Sequence, residues 1–153
     1  MKKFVFTYEK ILRVKVELEN EARNRLAVAI QEKVRLKIEL EKFILDQNKY
    51  LVFLNDLISE GVKASQLKRL NAEKSYFTKG ISEIKRNIEK QEINIIERRH
   101  ELTEALKETK KFEKLKEKEY EKYIEEIYVS ERKAVEEIVN YKNFKLSGDK
   151  NGR

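Results

Sequence analysis

From Val5 onward, apolar side chains return every three or four residues and can be written in sevens. In the first arm one set of positions reads Val5, Leu12, Glu19, Leu26, Lys33, Leu40, Gln47 and Leu54, and the other reads Tyr8, Lys15, Ala22, Ala29, Leu36, Phe43, Tyr50 and Leu57. Val16, Ile30, Ile44, Leu51 and Ile58 widen the stripe on one side. A 3.5-residue repeat of this kind predicts a helix with a coiled-coil face. A second series runs Leu67, Leu70, Lys74, Phe77, Ile81, Ile84, Ile88, Gln91, Ile95, Arg98, Leu102 and Ala105. Beyond Ala105 the apolar spacing slips, through Phe112 and Leu115, to Tyr120, Ile124, Ile127, Ala134, Ile138 and Tyr141. A stutter relaxes the supercoil locally, so the seam is expected to change neighbours there.

Between the two series stands Glu60-Gly61-Val62-Lys63-Ala64-Ser65, the stretch with a helix stop and restart. Gly61 fits the left-handed position just past a helix C-terminus, where the absence of a Cβ removes the steric cost of positive φ. Ser65 is expected to cap the following helix through its hydroxyl. The other reading keeps Gly61 inside one helix of about 140 residues, which needs a partner chain along its whole length. Folding back supplies that partner in cis.

The expected fold is therefore all-α, a long two-stranded antiparallel coiled coil. It forms a single helical hairpin over residues 1–145, with a helix over 3–59, a turn at 60–65, a longer helix over 66–144, and a disordered tail at 146–153. Opposed residues then have numbers that sum to about 124, which sets Leu54 against Leu70, Phe43 against Ile81, Leu36 against Ile88, Ala22 against Leu102 and Leu12 against Phe112. At 1.5 Å per residue the shared part is roughly 85 Å long and the second arm roughly 115 Å. The last turns of that arm keep an apolar stripe with no partner in the chain.

Composition agrees. The 153 residues are 41% charged and 40% hydrophobic, with no proline, cysteine or tryptophan and only four glycines, the usage of long helices. Gly80, inside the second arm, reads as a neutral surface glycine, the alternative being close approach of another backbone. No apolar run is long enough to cross a bilayer, and the N-terminus becomes charged at Glu9 and Lys10, too early for a signal peptide, so a cytoplasmic location is expected. The net charge of +7 is spread over lysines and arginines interleaved with glutamates, as in Glu39-Leu40-Glu41-Lys42. Such interleaving marks a solvated helix face with i, i+4 pairs, whereas a nucleic-acid-binding region concentrates one sign.

Chemistry is sparse. His100 is the only histidine and reads as a solvated helix residue; without cysteine there is neither a multi-histidine nor a thiolate metal site. The glutamates lie along a rod with no closed pocket, and no glycine-rich phosphate loop is present. No catalytic residue, cofactor or metal is expected.

Several segments in order carry a resemblance. They are Phe4-Val5-Phe6 leading to Leu12, Glu17, Glu21 and Ala22; Gln47-Asn48-Lys49-Tyr50-Leu51 with Leu54; Glu60-Gly61-Val62; Thr103-Glu104-Ala105 with Lys110; Phe112-Glu113-Lys114-Leu115-Lys116-Glu117-Lys118; and Glu131-Arg132-Lys133 ahead of Glu136-Glu137-Ile138. Over residues 3–140 the chain resembles the FliJ family of flagellar type III export proteins and its injectisome counterparts. Glu136-Glu137 stands where that family usually has Asp-Glu. The resemblance implies an antiparallel coiled coil like the gamma-subunit stalk of rotary ATPases, which enters the central hole of the hexameric export ATPase, binds the export gate membrane protein and interacts with export chaperones. It also implies a location at the inner membrane at the flagellar base.

Two candidate surfaces follow. At the open ends of the arms Leu12, Val16, Tyr120, Ile124, Ile127 and Ile138 are expected to face the ATPase ring, because exposed apolar surface generally marks an interface. Pairing with a second copy through the same residues is the alternative. Nearer the turn, Phe43, Gln47, Tyr50, Phe77, Ile81 and Ile84 are the candidates for the export gate. Gln47 and Tyr50 lie in the segment that best matches the family, Phe77, Ile81 and Ile84 each compete for one matching position, and Phe43 and Phe77 also read as seam filling. Other function classes are a structural or homodimeric spacer and a prefoldin-like coiled-coil chaperone. The chaperone class would need a strand pair between the helices, for which a short turn leaves no room.

Overall fold

A computed structural model describes residues 3–150 and Gly152; Met1, Lys2, Asn151 and Arg153 lie outside it, and with them that part of the expected tail. Two helices account for nearly all of it, α1 over Glu9–Glu60 and α2 over Ala64–Lys150, and no strand occurs among the described residues. The hairpin with a longer second helix is thus the fold.

Its boundaries differ from expectation at three places. Residues 3–8 are not helical; α1 starts at Glu9, whose N–H donates to the Phe6 carbonyl at 3.3 Å, and that acidic side chain complements the positive end of the helix. At the turn, Gly61 has φ 94° and its N–H donates to Ile58 O at 3.2 Å, so the chain leaves α1 through a left-handed glycine as expected. The connection is only residues 61–63. Ser65 is not the cap: Lys63 precedes the helix, and the Gln66 side chain reaches back to accept from the Lys63 N–H at 3.4 Å, one half of a capping box. Finally, α2 continues through Leu146 to Lys150, where a disordered tail was expected. Leu146, Ser147, Asp149 and Lys150 are compatible with helix, and the Ser147 hydroxyl returns to the Phe144 carbonyl at 2.9 Å.

Contacts divide the chain into two units, a terminal one (Met1–Glu17 with Lys107–Arg153) and one around the turn (Leu18–Leu106). In the turn unit the heptad positions form the seam: Ala22, Ala29, Leu36 and Leu54 of α1 and Leu70, Ile84, Ile88 and Ile95 of α2 are buried. Leu36, Ile84 and Ile88 make one cluster, with Leu40 and Phe43 packed on it. Ile30 and Ile58 stay exposed, so the seam is narrower than the sequence stripe. Leu67, taken as the first seam position of the second arm, is also exposed. Polar seam residues find partners: Lys33 pairs with Glu92 at 3.2 Å, and the Gln91 amide donates to Ala29 O at 3.0 Å.

Gly80 is not a neutral surface glycine. The Phe43 ring lies over it so closely that a Cβ there would stand 2.6 Å from Phe43 Cζ. The side chain of the facing helix, rather than its backbone, makes the close approach.

In the terminal unit the seam keeps heptad spacing where the apolar pattern slips. The less exposed residues of α2 there include Thr109, Phe112, Lys116, Glu119 and Tyr123 at that spacing, with Glu108, Leu115 and Ile127 beside them, while Tyr120 and Ile124 are exposed. Polar groups hold seam positions because each is satisfied. The buried Thr109 hydroxyl donates to Lys15 O at 3.4 Å, Lys116 pairs with Glu9 at 2.8 Å, and Thr7 donates to the Glu119 carboxylate at 3.4 Å. The non-helical start also packs here. Phe6 is buried, with Lys116 Nζ 5.9 Å from its ring centre, and Phe4 meets Tyr120 and Tyr123 at ring separations of 5.2 and 5.4 Å. Beyond Ile127 every described residue of α2 is exposed.

No described side chain is completely buried, as expected for a seam without a thick core. Neither helix is long and apolar enough to cross a membrane among the described residues.

Candidate interaction surfaces

Each candidate set of the sequence falls within one unit. Leu12, Val16, Tyr120, Ile124, Ile127 and Ile138 belong to the terminal unit; Phe43, Gln47, Tyr50, Phe77, Ile81 and Ile84 belong to the turn unit. Within each set the structure separates seam from surface.

In the terminal unit Leu12 is buried, and with Phe4 and Tyr120 it lines a shallow groove bordered by Glu113, Lys116 and Glu117. Val16, Tyr120 and Ile124 are exposed at the edge of the seam, and Ile127 is half-buried. Ile138 stands free at 57% exposure. Besides Tyr141 of the same series, it has company that the heptad reading passed over: Tyr128, Val135, Val139, Phe144 and Leu146 are all exposed on the same stretch of α2. Burying a large apolar side chain is worth about 1.5–3 kcal/mol, so this accumulation on a helix with no neighbour is costly unless something covers it. The signal was present in the sequence as apolar residues between the heptad positions, but a search restricted to one register counts them as spacers.

In the turn unit Ile84 is buried and Phe43, Gln47, Tyr50, Phe77 and Ile81 are half-buried. Phe43, Tyr50 and Phe77 form one aromatic cluster, with ring separations of 5.7 Å from Phe43 to Phe77 and 5.3 Å from Tyr50 to Phe77. The Tyr50 hydroxyl donates to Leu70 O at 2.7 Å, tying the helices together. Burial first, then the Glu73 carboxylate beside it, pushes the Tyr50 phenol above the usual tyrosine range, which keeps it a donor. What these residues offer outward is an aromatic rim completed by Phe53 and Tyr76, which are 52% and 65% exposed. Tyr76 packs against Phe43 at 5.7 Å and so belongs to the same cluster.

Charges elsewhere are those of solvated helix faces. Arg35 bridges Glu32 at 2.7 Å and Glu39 at 3.2 Å; the hydrogen bond from Arg35 lowers the Glu32 carboxyl and raises the guanidinium. The Glu108 carboxyl is lowered by the Lys111 hydrogen bond and charge, with Lys15 contributing across the seam. His100 is exposed, and no group of three potential metal ligands occurs among the described residues.

The family model for the flagellar FliJ protein matches residues 4–145. This chain belongs to the FliJ family. No curated protein and no solved structure matches it. Membership makes the chain a component of the flagellar export apparatus, and FliJ proteins are non-catalytic components of it. The matched span takes in the whole of α1, the turn, and α2 through Lys145.

Proposed function

We propose that this FliJ-family chain is a stalk-like coupling protein, acting in the cytoplasm at the inner-membrane base of the flagellum. Its terminal unit enters the hexameric export ATPase ring, its turn unit docks on the export gate membrane protein, and export chaperones bind it in addition. The observation that carries the reading is the apolar stripe of α2 beyond Ile127, where Ile138, Tyr141 and Phe144 are 57%, 66% and 77% exposed with nothing in the chain to cover them. A ring lumen is a surface able to bury such a stripe on all sides. The three-residue connection at 61–63 leaves no room for the strand pair of a prefoldin-like arm, which disfavours the chaperone alternative.

The test is the ATP hydrolysis rate of the cognate export ATPase with and without the purified chain. Stimulation is expected, and it should be lost when Ile127 and Ile138 become serine while far-UV circular dichroism stays helical. Unchanged stimulation by that variant overturns the assignment of this end. For the gate, Gln47→Ala together with Tyr76→Ala should weaken binding of the gate membrane protein and leave ATPase stimulation intact. Tyr76 is chosen rather than Tyr50 because Tyr50 also closes the hairpin. Loss of both activities together, or of neither, removes the separation into two surfaces.

A further inference from the structure

We propose that the stripe of α2 beyond Ile127 pairs antiparallel with the same stripe of a second copy of this chain, the two-fold axis passing at Ile138. At 3.6 residues per turn, Glu131, Ile138 and Lys145 lie within about 20° of one line down the middle of the stripe. Two opposite charges therefore sit near the middle of this face, one heptad either side of Ile138, with Lys142 a further charge towards one edge, where the same pairing sets it against Ala134. Both are exposed, and neither forms an ion pair among the described residues.

Antiparallel pairing about Ile138 gives each charge its partner. Glu131 of one copy meets Lys145 of the other, twice by symmetry, and Val135 meets Tyr141, a smaller residue against a larger one. Parallel pairing instead stacks Glu131 on Glu131 and Lys145 on Lys145, and like charges at a helix interface repel. A self-complementary patch of this kind is what a two-fold interface requires. The paired length is about six turns, near 33 Å, so the association is weak and concentration-dependent. It occupies the surface proposed to face the ATPase ring, yet depends on no property of the ring.

Sedimentation equilibrium of the full chain, from about 1 µM to 1 mM, tests it. The wild type should shift from monomer to dimer. Glu131→Lys or Lys145→Glu alone puts like charges opposite each other at both pairs and should weaken dimerisation on the order of tenfold. The double variant Glu131→Lys/Lys145→Glu should regain it. The substitutions lie on an exposed helical face, and circular dichroism checks that helicity is kept. A chain that stays monomeric throughout leaves the stripe to some other partner and overturns the proposal, as does a dimer indifferent to the single reversals or one that the double reversal fails to restore.

Discussion

Replacing Gly80 by alanine separates two opposed effects. In an exposed helix the change stabilises by about 1 kcal/mol, because alanine loses less backbone entropy. Here the new Cβ would sit 2.6 Å from Phe43 Cζ, where carbon atoms prefer about 3.5–4.0 Å, so the ring must withdraw by about 1 Å. It has little room to do so, with Tyr76 and Phe77 rings at 5.7 Å and the Leu36, Ile84 and Ile88 cluster beneath it. Overpacking of this kind costs about 1–3 kcal/mol, so Gly80→Ala should destabilise by about 1 kcal/mol net. Urea unfolding followed by circular dichroism at 222 nm measures it, and the informative comparison is a cycle with Phe43→Leu. Once the ring is gone, Gly80→Ala should stabilise by about 1 kcal/mol, giving a coupling near 2 kcal/mol between the two positions. A Gly80→Ala variant that gains about 1 kcal/mol in both backgrounds would show that the ring does not rest on this glycine.

Tyr50→Phe removes the 2.7 Å bond to Leu70 O and should cost about 0.5–1.5 kcal/mol in the same assay. Because the folded phenol titrates above its unfolded value, the unfolded chain releases its proton first. Stability should therefore fall as pH rises above about 10, less steeply in Tyr50→Phe than in the wild type. Gly61→Ala, although no atom would touch the new Cβ, forces φ 94° on an L residue and should cost about 1–2 kcal/mol in thermal unfolding. Phe6→Ala empties a buried site of the terminal unit and should cost about 3–5 kcal/mol if that unit unfolds as one; limited proteolysis near residues 3–8 should accelerate with it.

The hairpin was legible because its signals are repetitive and local: a 3.5-residue apolar period on either side of a single glycine turn, with no proline to interrupt it. Details set by contacts between residues far apart in sequence were not. Phe4 and Phe6 fit a helical pattern, but they gain more by packing on Tyr120, Tyr123 and Lys116 than by extending α1. Thr109, Lys116 and Glu119 read as a break in the seam, since a hydropathy pattern cannot register that Lys15 O, Glu9 and Thr7 stand opposite to satisfy them. Ser65 has the better capping side chain by type, yet Gln66 is placed to close the turn from within the helix. Leu146 to Lys150 looked aperiodic, although residues without strong breakers continue a helix already nucleated, and Gly148 tolerates it. Within the two candidate stretches, the sequence could not separate residues that fill the seam, such as Leu12 and Ile84, from those at the surface, such as Ile138 and Tyr76.

The polar contacts inside the turn unit bear on sliding. A heptad repeat is nearly indifferent to a shift of one helix against the other by a whole repeat, since leucine again meets leucine. Lys33 on Glu92 is not indifferent, because a shift of one repeat either way sets it against Lys85 or Arg99, and Gln91 on Ala29 O, Arg25 on Glu101 and Tyr50 on Leu70 O must break before any shift begins. A three-residue connection adds a second lock, because slippage must be absorbed by unwinding helix at the turn. Axial shear between α1 and α2 in this unit is thus opposed by discrete steps rather than by smooth friction. A load applied along one helix passes to the other without creep until several of these contacts yield together.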